Sequence, residues 1–171
     1  MSTVHVVPDR DVRHRGVLRA GGFWRACALG RTGVVADKHE GDGGTPRGIL
    51  RPLALLYRAD RGPRPVSALP TNAIRADSGW CDDPDDRCYN RPVRLPYAGR
   101  HERLWRDDRL YDLLVVLDHN TEYPVPGRGS AIFLHVAAPG LAATEGCIAV
   151  DPPALRALLA YLTPDSRICV A

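Results

Sequence analysis

The shortness of its apolar runs limits this chain most. Segments at Thr3 to Val7, Phe23 to Leu29, Gly48 to Tyr57, Leu113 to Leu117, Ala131 to Val136 and Cys147 to Val150 are each closed off by glycine or proline clusters. That rhythm predicts a mainly β fold, a sandwich or barrel. One helix is expected, late in the chain. Asp151 suits an N-cap, Pro152 and Pro153 a first turn, and Leu155, Leu158, Leu159 and Leu162 share a face before Pro164. A second helical turn is expected over Glu102 to Asp107. With 171 residues, 44% of them hydrophobic, the chain suits one domain, residues 1–171. Residues 58–112, rich in proline, aspartate and arginine, read as a cap inserted over the site.

The chemistry is concentrated in Thr144-Glu145-Gly146-Cys147, twelve residues after His135. Cysteine is a nucleophile as thiolate, an imidazole can take its proton, and a glycine beside it lets a carbonyl approach the backbone. Alternation in Ala131–Val136 puts Ile132, Leu134 and Val136 on one face and Ala131, Phe133 and His135 on the other. Pro139-Gly140 breaks the chain, and a hairpin-like return is expected to bring Cys147 back towards His135. The same residues also fit a bland reading, in which Cys147 is a small buried hydrophobe and His135 a satisfied core histidine.

Other residues carry weaker signals. Trp80, Tyr89, Asn90 and Tyr111 could line a peptide or sugar groove, or simply pack. Arg128 is a candidate carboxylate contact, since a guanidinium pairs with carboxylates in two-pronged fashion; it also reads as a surface arginine in a glycine turn. Asp82 to Asp86 lacks the alternation and distal glutamate of a calcium loop and reads as a solvated turn. His39-Glu40 lacks a following histidine, and no Cys-x-x-Cys pair occurs, so neither metal nor cofactor is expected. Five cysteines leave at least one unpaired. Cys81 and Cys88 could bridge or stay reduced, while Cys27 and Cys169 read as core.

The net charge is +3, and Lys38 is the only lysine among 23 basic residues. Scattered arginines without a basic cluster and aromatic partners do not predict nucleic-acid binding. No stretch approaches the roughly 20 apolar residues of a membrane span. Met1 to Arg19 is charged and lacks the apolar centre of a secretory signal.

Gly127-Arg128-Gly129-Ser130-Ala131-Ile132-Phe133-Leu134-His135, followed by Thr144-Glu145-Gly146-Cys147, resembles the signature of YkuD-type L,D-transpeptidases. In that family a histidine precedes a Ser/Thr-His-Gly-Cys motif. Lys38-His39-Glu40-Gly41-Asp42-Gly43-Gly44-Thr45-Pro46-Arg47-Gly48 is similar to the family's Asp-Gly-x-Thr-Pro-x-Gly segment, and Trp80 to Asn90 with Glu102 to Tyr111 resemble a short proteobacterial branch. The likeness spans roughly residues 30 to 151. Glu145 stands where a second histidine is usual, adding a carboxylate that would raise the thiol pKa if close. Ala149 stands where arginine or asparagine is common.

The resemblance implies a YkuD-like β-sandwich or barrel catalytic domain with an inserted cap and a short C-terminal helix. It implies that Cys147 attacks a diaminopimelate carbonyl in a peptidoglycan stem peptide, with His135 as base and Val136 or a neighbour orienting the imidazole through its carbonyl. The Cys147 N–H, with Gly146 or Thr144, would form the oxyanion hole. An amine then resolves the thioester, forming a diaminopimelate–diaminopimelate bond or, in some short proteobacterial relatives and with a correspondingly different donor cleavage site, an L-alanine–diaminopimelate bond. Two alternatives stand beside this: water intercepts the thioester, giving a wall carboxypeptidase, endopeptidase or amidase, or the protein is a wall-binding module with an inert thiol. Glu145 joins the candidate substrate contacts. A monomer is expected, and a wall substrate implies the periplasm.

Overall fold

The computed structural model describes residues 2–171. Its strands are β1 (Thr3–Pro8), β2 (Arg15–Ala20), β3 (Phe23–Ala28), β4 (Val34–Val35), β5 (Thr45–Pro46), β6 (Gly48–Leu50), β7 (Pro52–Tyr57), β8 (Thr71–Ala73), β9 (Ser78–Cys81), β10 (Pro92–Arg94), β11 (His101–Arg103), β12 (Leu113–Leu117), β13 (Phe133–Val136), β14 (Ile148–Val150) and β15 (Arg167–Val170). One α-helix, α1, spans Pro152–Tyr161. Ten strands form one sheet in the order β6-β15-β1-β2-β3-β14-β13-β12-β7-β8.

That order forces the sheet to curl. β6 is an edge strand and β7 lies one strand in from the opposite edge, yet only Arg51 separates Leu50 from Pro52. The ends therefore have to meet, and Arg51 is clipped there through its N–H to Asp118 Oδ1 at 2.7 Å. The apolar run Gly48 to Tyr57 is thus two strands in different parts of the sheet, not one. Inside the curl lie Val4, Val6, Leu18, Val115, Leu134, Val136, Ile148 and Val150, with Leu155, Leu158 and Leu159 of α1 closing it. Each fully buried side chain of this size stabilises by about 1.5–3 kcal/mol. Asp151 caps α1 by accepting the Ala154 N–H at 2.9 Å, and the chain leaves helical geometry at Leu162.

Strand alternation sends the other side chains outward. Leu114, Val116, Phe133 and Cys147 face a second cluster with Ile74, Trp80, Leu104 and Tyr111, which come from the segment between β7 and β12. That segment contributes β8 to the main sheet and folds the rest into a small sheet, β10-β9-β11, which accounts for the cover over this face. Two expectations need correcting. Glu102 to Asp107 does not form a helical turn, because His101–Arg103 pairs with β9. β13 and β14 do not form a hairpin either; they pair in parallel, with Leu134, His135 and Val136 opposite Ile148, Ala149 and Val150. A crossover containing the short turn Pro139–Leu141 carries the chain back to the start of β14.

Candidate active site

Parallel register puts the thiol and the imidazole on one face. His135 stands opposite Ala149, and Cys147, two residues earlier, projects to the same side. Both line a cavity of about 270 Å³, together with Glu40, Glu102, Arg106, Tyr111 and Thr144. A larger hollow of about 630 Å³ lies over β1 to β3, between His5, Arg19, Phe23 and Trp24, and contains no nucleophile. The chemistry therefore belongs to the smaller one.

The imidazole is oriented by the backbone. His135 Nδ1 lies 2.8 Å from the Val136 carbonyl oxygen, which can only accept, so Nδ1 carries the proton and Nε2 is left basic. The Tyr111 ring packs edge-on against the imidazole, 5.3 Å between centroids. Burial pushes the His135 pKa down to about 4, against the pull of the Val136 carbonyl. Cys147 Sγ accepts the Phe133 N–H at 3.4 Å and donates to the Ala131 carbonyl at 3.3 Å. Burial pushes this thiol up to about 12, with the Glu102 carboxylate adding to the rise and Phe133 N–H and Lys38 opposing it. Both groups are neutral at rest.

The turn before Cys147 is fastened from two sides. Thr144 N–H donates to Leu29 O at 2.9 Å, and Thr144 Oγ1 donates to the Cys147 carbonyl at 2.7 Å. Thr45 Oγ1 reaches the same carbonyl at 3.4 Å. Gly146 adopts φ +134°, and a Cβ there would stand 2.8 Å from Gly44 O, so only glycine fits without strain. Asp42 fixes the facing loop: it accepts the N–H groups of His39 and Gly44 at 2.7 Å and pairs with the Lys38 ammonium. Burial opposes the Asp42 charge, but these donors hold its carboxyl below the usual range.

These bonds revise the expected oxyanion donors. Thr144 N–H is committed to Leu29, and Gly146 N–H to Thr144 Oγ1 at 3.2 Å, whereas Cys147 N–H has no such turn partner. Several expected substrate contacts are also placed elsewhere. Arg128 pairs with Asp37 on the surface. Trp80 donates to Asn90 Oδ1 at 2.9 Å, and Asn90 Nδ2 holds the carbonyls of His119 and Asn120, so both are packing residues. The Tyr89 hydroxyl donates to Glu40 at 2.5 Å and is buried behind it. Tyr111 does line the cavity, and Glu145 sits at its rim, 79% exposed and 3.0 Å from Arg31 Nε. All five cysteines are free, Cys81 and Cys88 included.

The sequence pattern of the L,D-transpeptidase catalytic domain, YkuD, matches residues 5–170. The chain belongs to the YkuD family. No curated protein and no solved structure gives a match. In this YkuD domain Glu145 turns away from the sulfur towards Arg31, and Ala149 is buried against the neighbouring strand at Ala28. The guanidinium that does line the cavity, Arg106, comes from the covering segment and is held by Asp108 at 2.6–3.1 Å. Glu102 and Arg106 fall within the stretch Glu102 to Tyr111 that shares the family resemblance, but no residue pattern there marks either one as a site residue. Among the described residues, no helix is long and apolar enough to cross a membrane, and no group of three or more His, Cys, Asp or Glu is placed to hold a metal.

Proposed function

We propose that this YkuD domain is a cysteine-dependent L,D-transpeptidase that joins peptidoglycan stem peptides through a thioester on Cys147. The observation that carries this reading is the shared cavity of Cys147 and His135, built from adjacent parallel strands. A buried neutral pair avoids the cost of holding two charges away from water before substrate arrives. The stem-peptide carbonyl enters beside Gly146; as Cys147 Sγ attacks, its proton passes to His135 Nε2, and the Cys147 N–H faces the developing oxyanion. His135 then returns the proton to the departing D-alanine amine. An amine of a second stem attacks the thioester, giving a diaminopimelate–diaminopimelate link; an L-alanine–diaminopimelate link requires acylation at the L-alanine carbonyl instead, with the rest of the donor stem leaving as the amine. Such a substrate lies outside the inner membrane, which makes the periplasm the proposed place of work, and one copy of the chain supplies the whole site.

The test is to incubate the protein with disaccharide-tetrapeptides and weigh the products, for wild type, Cys147→Ala and His135→Ala. Dimers that have lost D-alanine, formed by wild type alone, support transpeptidation. Dimers formed equally by Cys147→Ala would refute it.

A further inference from the structure

Aminolysis of a thioester has a proton problem that one histidine does not solve. A stem-peptide amine reaches the site largely as an ammonium, since a primary aliphatic amine titrates above neutral pH. It loses one proton before its lone pair can attack and a second as the amide forms. His135 has one basic nitrogen, Nε2, because Nδ1 is committed to Val136 O.

Four carboxylates line the cavity of Cys147 and His135: Glu40, Asp82, Glu102 and Glu145. Three are occupied. Asp82 pairs with Arg100 at 3.1 Å, Glu145 pairs with Arg31 at 3.0 Å, and Glu40 Oε2 accepts the hydroxyls of Tyr89 and Ser130 at 2.5 and 2.7 Å. Glu102 differs. Its neighbouring cation, Arg106, stands 4.0 Å away and is already bound by Asp108, and the Tyr111 hydroxyl satisfies Oε1 alone.

We infer that Glu102 is the base that deprotonates the acceptor ammonium, so that the second substrate is a cationic primary amine held beside the thioester; the inference rests on the thioester reading above. The ammonium gives its first proton to the Glu102 carboxylate. The amine nitrogen then bonds to the acyl carbon, the C–S bond breaks, and the second proton travels from nitrogen through His135 Nε2 to Cys147 Sγ. Amide, free thiol and protonated Glu102 result, and Glu102 releases its proton to solvent. Burial raises the Glu102 pKa, against the donation from Tyr111 and the charge of Arg106, and the carboxylates of Asp82 and Glu40 raise it further. A raised carboxyl is the stronger base. Its side chain keeps 29% of its surface open, so an ammonium can reach it.

The role separates from structure because acylation does not require it. Glu102→Gln preserves the shape and keeps an acceptor for the Tyr111 hydroxyl. With a stem-tetrapeptide donor, D-alanine release in a single turnover should be retained or faster than wild type, since the charge that lifts the Cys147 pKa is gone, while transfer to free diaminopimelate at neutral pH should fall by about 100-fold. In the variant, transfer should climb about tenfold per pH unit towards the amine's own pKa, because only pre-formed free amine reacts. Across that window His135 and Tyr111 do not titrate and Cys147 is blocked as the thioester. Glu102→Asp should recover part of the transfer. Equal loss of acylation and transfer, or an unchanged pH profile in Glu102→Gln, would overturn the assignment. Absence of any acyl-enzyme in wild type would instead overturn the thioester reading beneath it.

Discussion

Cys147 Sγ aims its proton at the Ala131 carbonyl, 3.3 Å away, rather than resting as an ion pair with His135. Since burial pushes this thiol up to about 12, the free enzyme carries very little thiolate at neutral pH. Iodoacetamide should therefore alkylate Cys147 slowly at pH 7, with the rate rising about tenfold per pH unit through pH 9 and beyond. Mass spectrometry of the alkylated peptide checks this. A rate already level at neutral pH would mean a pre-formed ion pair.

The imidazole makes stability depend on acid. With its folded pKa lowered to about 4 from an ordinary 6.5, His135 is neutral in the fold and protonates more readily when unfolded. Its contribution is complete above pH 6.5 and is lost as pH falls towards 4, a difference of about 3 kcal/mol. Urea titrations at stepped pH should show wild type losing stability over this range, and His135→Gln losing correspondingly less. Parallel curves for the two proteins would rule the effect out.

Gly146→Ala should fail locally. The φ of +134° disfavours a side chain, and the new Cβ would press on Gly44 O at 2.8 Å. A cost of about 1–3 kcal/mol is expected, together with a fall in turnover, because the same turn sets the position of Cys147 N–H. Thermal melting and product formation measured on one preparation test both halves.

Arg128→Ala should do almost nothing. Its partner Asp37 is 70% exposed, and Arg128 itself is 52% exposed, so the pair contributes no more than about 1 kcal/mol. Turnover within about twofold of wild type is expected; a large rise in KM for the donor peptide would restore Arg128 as a substrate contact.

The sequence was legible where local pattern and tertiary role coincide. Alternation in Ala131–Val136 correctly separated Leu134 and Val136 from Phe133 and His135, because one face fills the core and the other the covered side. Asp151 and the leucines after it wrote out α1 in the same way. β2 escaped notice because Arg15, Gly16 and Arg19 dilute its apolar signal, although Leu18 is fully buried. The parallel return of β14 was hidden because pairing direction is set by the crossover and not by strand composition. The cavity's Glu102 and Arg106 were illegible for a related reason: only the folding of β9 to β11 over β12 and β13 brings them to Cys147. Trp80 and Asn90 fit both groove and packing in the sequence, because an aromatic and an amide look alike there whether they bind ligand or each other; in the fold they bond to each other.

The central claim is that Cys147 becomes acylated with help from His135, and intact-mass spectrometry after brief mixing with a stem-tetrapeptide donor tests it most directly. The account predicts an adduct of the donor less D-alanine on wild type, mapped to Cys147, absent from Cys147→Ala and at least about 100-fold slower to form in His135→Ala. An adduct on another residue, or an undiminished adduct in His135→Ala, would contradict it.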